Sequence, residues 1–444
     1  MRRRLQSAGA SSAADRWSRW VRPLSVVGLV VVAAVALAVP AFSASSSPKD
    51  VTLKIESWRT DDQAIWDKKI IPVFEKSHPG IKVTFAPTNP PDYNATLDSR
   101  LKGGSAGDIV ACRPFDASLG LFKQGRLAAL NALPGMQNFS KFAKVAWTTD
   151  DGKTTFCVPM ASVIHGFIYN KDAFKKLGLT EPKTEAQFLA DLQKIKDDGT
   201  YTPLAMGTHD LWESATMGFQ NIGPDYWKGE TGRLALIHGT EKFTDKPYVN
   251  TFKALAKWGP YLPKDASSVT YPDAQNLFTS GRAAIYPAGS WEISGFEAKA
   301  KFKMGVFKPP LPAGQKQCYI SDHVDIAYGL NSASKNQAAA KQFLSWVASP
   351  EFGKLYSTAL PGFFSLQSKP IPTTDPLAKT FVSWRKTCKT TIRNSYQILS
   401  RGTPNLENEL WQVSAAVLNG KMTPEQATQR LQKGLNRWYH PKKK

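Results

Sequence analysis

Short alternating or apolar runs, separated by stretches of helical period, set the reading of this chain. Val51, Leu53 and Ile55 alternate as a first strand, which ends at Ser57-Trp58-Arg59-Thr60-Asp61-Asp62. Helical spacing then places Trp66, Ile70, Val73 and Phe74 on one face, and His78-Pro79-Gly80 stops the helix. Ile81, Val83 and Phe85 alternate as a second strand, terminated by Pro87, Pro90 and Pro91. Tyr93, Leu97 and Leu101 stand four apart on a second helical face. Asp108 to Cys112 is short and apolar, as parallel strands covered on both faces are. This order of strands and helices is the beginning of a doubly wound α/β unit.

The pattern restarts near Thr155. Phe156 to Ser162 and Val163 to Lys171 read as two extended runs, followed by a helix capped by Thr184 and Gln187 that buries Phe188, Leu192 and Ile195. Pro203 to Pro224 holds His209, Asp210, Trp212, Glu213 and Phe219 among glycines, and Asn250 to Trp258 is helical. In Gly281 to Phe296 an apolar strand runs through Pro287 and Gly289 into Trp291 beside Glu292. That delivers a flat ring to a strand end, where open α/β sheets place their ligands. Asp325 to Leu330 is a further strand, before a helix bearing Ala339, Phe343, Leu344 and Val347. Thr423-Pro424-Glu425-Gln426 opens a last helix whose stripe is Ala427, Leu431, Leu435 and Trp438.

At 444 residues, 42% hydrophobic and 21% charged, the chain is a globular protein of two or three domains. Residues 1–44 stand apart: an Arg-bearing start, an apolar run from Leu24 to Val39 and small residues at Ala41, Ser43 and Ala44. They read as a secretory signal, or an N-terminal anchor if retained, followed by a linker over 45–50. No Cys precedes Cys112, so a lipidated N-terminal Cys is not expected. Net charge is +21; with the six Arg and one Asp of residues 1–44 removed it is +16. Export argues against nucleic acid, and the charges are spread, apart from the basic tail 441–444, so a solvated basic surface is expected. Four cysteines in an exported chain imply two disulfides, with three connectivities open.

No catalytic constellation emerges. Gly104-Ser105 and Gly289-Ser290 lack the nucleophile elbow, and the six histidines show no metal spacing. A glycoside-active enzyme would need a carboxylate pair, for which Asp61 with Asp62 or Glu213 with Glu292 are the candidates. No glycine-rich phosphate loop follows the early strands, so neither a nucleotide nor another cofactor is indicated. What recurs is an aromatic beside a carboxylate at a strand-to-helix junction: Trp58 with Asp61, Trp212 with Glu213, Trp291 with Glu292. Flat rings suit the C–H face of a sugar, and polar neighbours suit its hydroxyl rim.

Several pieces stand in one order: Ile55 to Asp61, then Phe74 to Val83; Gly107-Asp108-Ile109; Phe167 to Asp172; Phe278 to Ala284; Gly289-Ser290-Trp291-Glu292; and Ala338 to Leu344. In these the chain resembles the family 1 extracellular solute-binding proteins of ABC importers, the group of the maltodextrin-binding proteins. The resemblance implies a type II periplasmic-binding-protein fold, two doubly wound α/β lobes joined by hinge segments. One lobe would take 51–158 and 292–360, the other 159–291 and 361–440. It implies capture of a di- to tetrasaccharide between the lobes by an extracytoplasmic monomer, delivery to membrane permease subunits, and no chemistry on the sugar. An anionic or nitrogenous solute is the alternative ligand. Trp58, Arg59, Thr60, Asp61, Asp108 and Arg113 would line the first lobe. Ser162, His165, Trp212, Glu213, Trp291 and Glu292 would line the second lobe or hinge, with Phe363, Phe364 and Trp411 further off. Asp108 has a turn-capping alternative and His165 a packing one. The internal cysteines depart from the family, and the pairing expected is Cys112 with Cys157 and Cys318 with Cys388.

Overall fold

The computed structural model describes residues 50–441; the expected signal and most of the linker and basic tail lie outside these residues. Strands β1 (Val51–Ser57), β2 (Ile81–Pro87) and β3 (Ile109–Cys112) form a parallel core in which Val51 lies opposite Ile81 and Ile55 opposite Ile109. The helix Tyr93–Lys102 makes the crossover between β2 and β3, burying Tyr93, Leu97 and Leu101 as their spacing predicts. The first helical stretch, Trp66 to Ser77, buries Trp66, Ile70 and Phe74, but Val73 faces solvent and is 46% exposed.

Two long strands then tie the molecule together. β4 (Val158–Asn170) is buried along its whole length and merges the two extended runs of the sequence into one strand. Its first half pairs antiparallel with the strand Tyr319–Leu330, and its second half with Ala283–Gly289 on one side and Met304–Phe307 on the other. Numbered in chain order, β5 is Thr202–Leu204, β6 Ala283–Gly289, β7 Met304–Phe307, β8 Tyr319–Leu330, β9 Phe364–Ser365 and β10 Lys389–Thr391. The sheet path runs β2-β1-β3-β8-β4-β6-β5. β1 to β3 thus build one lobe, β5 to β7 the other, and β4 and β8 pass between them.

This pairing corrects one expected boundary. The expected boundary at 292 falls before β7, which hydrogen-bonds to β4 from Phe167 to Asn170 on the side opposite β6. The return is made by β8, whose end at Ile326–Leu330 pairs with β3 and β4.

Each crossing strand is stapled where it begins. Cys157 precedes β4 and is bonded to Cys112 at the end of β3; Cys318 precedes β8 and is bonded to Cys388 beside β10. Closing chain loops of 45 and 70 residues removes unfolded-state entropy of about 4 kcal/mol per bridge. At the helix Glu185–Asp198 Thr184 caps Gln187 N, while the Gln187 side chain accepts from Lys183 instead of closing the box. Thr423 and Gln426 do close theirs.

Candidate functional site

A cavity of about 380 Å³ lies between the lobes, at the strand ends. Its first wall grows from the end of β1. Ser57 turns into the short helical turn Thr60–Asp62, and Trp58 presents its ring to the cavity. Tyr93 stands edge-on to Trp58 at 5.5 Å, and the Arg113 guanidinium sits 4.5 Å from the ring centroid. Arg113 is itself held: Nε donates to Asn94 Oδ1 and Nη2 to the Pro90 carbonyl, each at 3.0 Å. Arg59 donates to both oxygens of Asp62 at 2.8 Å.

The second wall comes from three distant segments: Trp212 before the helical turn Ser214–Phe219, Tyr271 opening the helix Tyr271–Thr279, and Trp291 in the turn Ser290–Glu292 that follows β6. Trp291 folds back over its own strand, and a Cβ at Gly289 would fall 1.7 Å from the indole, so only glycine fits there. Behind the rings, Glu292 accepts from Tyr271 Oη at 2.7 Å, Gln275 Nε2 at 2.9 Å and Trp291 Nε1 at 3.2 Å. Burial, aided by the nearby charge of Asp61, pushes the Glu292 carboxyl up to about 7.

Between the walls lies Asp325 on β8. Its carboxylate has no hydrogen bond among the described residues and is faced by Arg393, Arg59 and Arg113. Burial raises its pKa, and the three guanidinium charges oppose that rise. Arg393 lies over the Tyr396 ring at 5.3 Å and pairs with Glu407 at 3.6 Å, and Glu407 accepts from Trp411 Nε1 at 3.3 Å. The backbone is strained around this cavity. Phe115 and Gln397, both lining it, have φ of 60° and 62°, as does Leu211 immediately before Trp212, at 62°.

Of the residues expected from the sequence, the cavity gathers Trp58, Arg59, Arg113, Trp212 and Trp291. Asp61 lies behind the rings, 4.0 Å from Arg59 and 3.5 Å from Gln275, and half-buried Thr60 opens the turn without lining the cavity. Asp61 and Asp62 both pair with Arg59. Asp108 accepts from Lys54 N on β1 and from Ser334 Oγ and Asn336 Nδ2 in the loop after β8, tying these segments together. Ser162 is a strand residue taken by Arg385 at 3.0 Å. His165 is fully buried, bonded to His323 at 3.0 Å and edge-on to Trp291 at 5.2 Å, and burial holds both imidazoles well below their ordinary pKa. Glu213 is fully buried, and burial with the charges of Asp210 and Glu292 holds its proton on well above the usual carboxyl range. Phe363 packs under Arg59 and Phe364 under Arg385, both away from the cavity. Trp411, the outlying candidate, does line it.

Sequence reasoning missed Tyr271, Asp325, Arg393, Tyr396 and Glu407. A usable signal existed for Asp325, a carboxylate inside the apolar run Val324 to Leu330; Arg393 and Tyr396 lie in a stretch without periodicity. Among the described residues no cluster of His, Cys, Asp and Glu has metal-binding geometry, and no helix is long and apolar enough to cross a membrane.

Comparison with known proteins places this arrangement. The family model "Bacterial extracellular solute-binding protein" matches residues 57–354. The chain is 25% identical over 347 residues to the multiple sugar-binding protein of Streptococcus mutans, covering 74% of this chain and 79% of that protein. It is 26% identical over 341 residues to the mannitol-binding protein of Pseudomonas aeruginosa, covering 73% and 74%. Among solved structures, the bacterial solute receptor AcbH, described with an exclusive substrate preference for β-D-galactopyranose, matches with a TM-score of 0.76. The identity is 18%, over 88% of this chain and 100% of that one. The fold is that of the two-lobe periplasmic binding proteins. The chain belongs to the bacterial extracellular solute-binding proteins, a family whose place is outside the cytoplasm.

Proposed function

We propose that this extracellular solute-binding protein captures a small neutral carbohydrate between its lobes and delivers it to the permease of an ABC importer. The observation that carries the reading is the cavity itself. Four tryptophans, Trp58, Trp212, Trp291 and Trp411, line it together with Asp325, whose carboxylate accepts no hydrogen bond among the described residues. Rings stack on the apolar face of a pyranose, while Asp325, Arg113 and Arg393 meet its hydroxyl rim. The names of the relatives point the same way, with sugar- and mannitol-binding proteins among them.

The lining also argues about charge. Arg59, Arg113 and Arg393 stand against Asp98, Asp116, Asp325 and Glu407, a near balance that favours a neutral ligand over an anionic or a polycationic one. A volume of about 380 Å³ is at the low end for ligand pockets, which favours the disaccharide end of the expected range. Closure would bend β4 and β8, and Arg401 supports the closed form by holding Asp116 and Asp150 together at the cavity mouth. The chain acts as a carrier and not as an enzyme. Of the carboxylate pair that a glycoside-active enzyme would need, Glu213 and Glu292 are both buried behind the rings, out of a sugar's reach. A cleavable N-terminal signal without lipidation and a monomeric state complete the reading.

The test is a thermal-shift and calorimetric screen over neutral mono- to tetrasaccharides, uronides and polyamines. Stabilisation by a neutral sugar without turnover is expected. Stabilisation by uronides or polyamines alone, or release of reducing sugar, overturns the reading.

A further inference from the structure

Glu292 does more than fill space behind the second wall. It is 2% exposed, and two of its three donors, Tyr271 and Trp291, are rings that face the cavity. Tyr271 in turn stands edge-on to Trp212 at 4.9 Å. One carboxylate therefore ties together all three rings of that wall. We propose that Glu292 is a positioning residue for ligand binding, whose ionised form locks the Trp212–Tyr271–Trp291 wall, so that affinity follows the protonation of a group the ligand never touches. This rests on the carbohydrate reading above and deepens it.

An ionised carboxylate is acceptor-only and satisfies all three donors. A proton on Oε2 faces the Gln275 amide, itself a donor. A proton on Oε1 must be accepted by the Tyr271 hydroxyl, which then turns away its own, and the bond from Trp291 Nε1 weakens. Either position weakens the hold on the rings, the first by turning their shared acceptor Oε1 from a carboxylate oxygen into a neutral carbonyl, the second by putting the proton on that acceptor. Every packed element brings a charged or titratable group to this layer: Asp61 and Arg59 from the turn after β1, His165 from β4, which burial holds well below its ordinary pKa, Tyr271 from its helix, Tyr286 from β6, and Glu213 with Asp210 from the loop before Ser214. Glu213 retains its proton, which leaves Glu292 as the member that titrates near neutrality.

The test begins without ligand. Tryptophan emission is titrated across the neutral range in the wild type, in Trp291→Phe to isolate the Trp291 signal, and in Glu292→Gln and Gln275→Ala. A Trp291-dependent transition near pH 7 is expected. It should vanish in Glu292→Gln and move to higher pH in Gln275→Ala, which keeps the acid but removes one donor that favours its ionised form. Affinity for the sugar should weaken by about tenfold as Glu292 protonates, the effect of one lost hydrogen bond to a charged group. In Glu292→Gln it should be weak and independent of pH. A flat Trp291 signal in the wild type, or an unmoved midpoint in Gln275→Ala, overturns the proposal. So does a Glu292→Gln protein that titrates like the wild type. If no carbohydrate binds, the emission titration still decides the role of Glu292, and the failure falls on the proposed function alone.

Discussion

The two walls of the cavity hold their aromatic rings by opposite means. In the first, Trp58 is fixed by a cation, with Arg113 over its ring at 4.5 Å and Tyr93 at its edge. In the second, Trp291 and Tyr271 are fixed by an anion, the buried carboxylate of Glu292. A guanidinium keeps its charge at any physiological pH, whereas a carboxyl pushed up to about 7 does not. The same task, presenting a flat ring to the cavity, is thus done once by a fixed charge and once by a titratable one.

The largest effect is expected where the two walls converge. Asp325→Ala leaves Arg113 and Arg393 without their shared counter-charge and removes the free acceptor, and should weaken sugar affinity by about 3 kcal/mol in calorimetry. Next come the rings: Trp291→Ala and Trp58→Ala should each cost about 2 kcal/mol or more, the range for a buried aromatic anchor. If only one of them does, the ligand leans on a single wall. Third is stability against pH. The folded-state pKa of Glu292 lies above its ordinary 4.5, so the proton is bound more tightly in the folded chain. Its stabilising effect is present below about 4.5 and is lost as pH rises through about 7, a change of about 3 kcal/mol. The melting temperature of the wild type relative to Glu292→Gln should therefore fall between those values. Smallest is Arg113→Ala itself, expected to cost about 1 kcal/mol of affinity through the lost contact with Trp58. Asp108→Ala serves as the control outside both walls: it should lower stability by about 1–2 kcal/mol and leave affinity unchanged.

The residues that sequence reading recovered and those it lost differ in kind. Trp58, Trp212 and Trp291 were legible because each stands at a strand-to-helix junction, a local pattern. Glu213 and Glu292 were legible as polar neighbours of those rings, yet both point into the protein, since adjacent residues in a helical turn face different directions. Asp108 and Ser162 matched the family's pattern in position but spend their polar atoms on the fold. Asp325, Arg393 and Tyr396 became site residues only because β8 and the segment after β10 cross beneath the cleft.

Local chemistry in the chain determined the elements. Strand alternation over Val51 to Ile55, helical spacing over Tyr93 to Leu101 and the Thr423 cap specify structure through neighbours a few residues away. The even count of cysteines implied two bridges, and by itself left their partners open. Tertiary structure decided which cysteines meet, that the return crossing is β8, and which polar groups face the cavity. Those outcomes depend on side chains brought together from segments hundreds of residues apart, such as Arg59 and Trp291, 232 residues apart in the chain, and no local pattern encodes them. Whether a charge binds a ligand, braces a ring or caps a turn is settled by what its neighbours leave unsatisfied once the chain has folded.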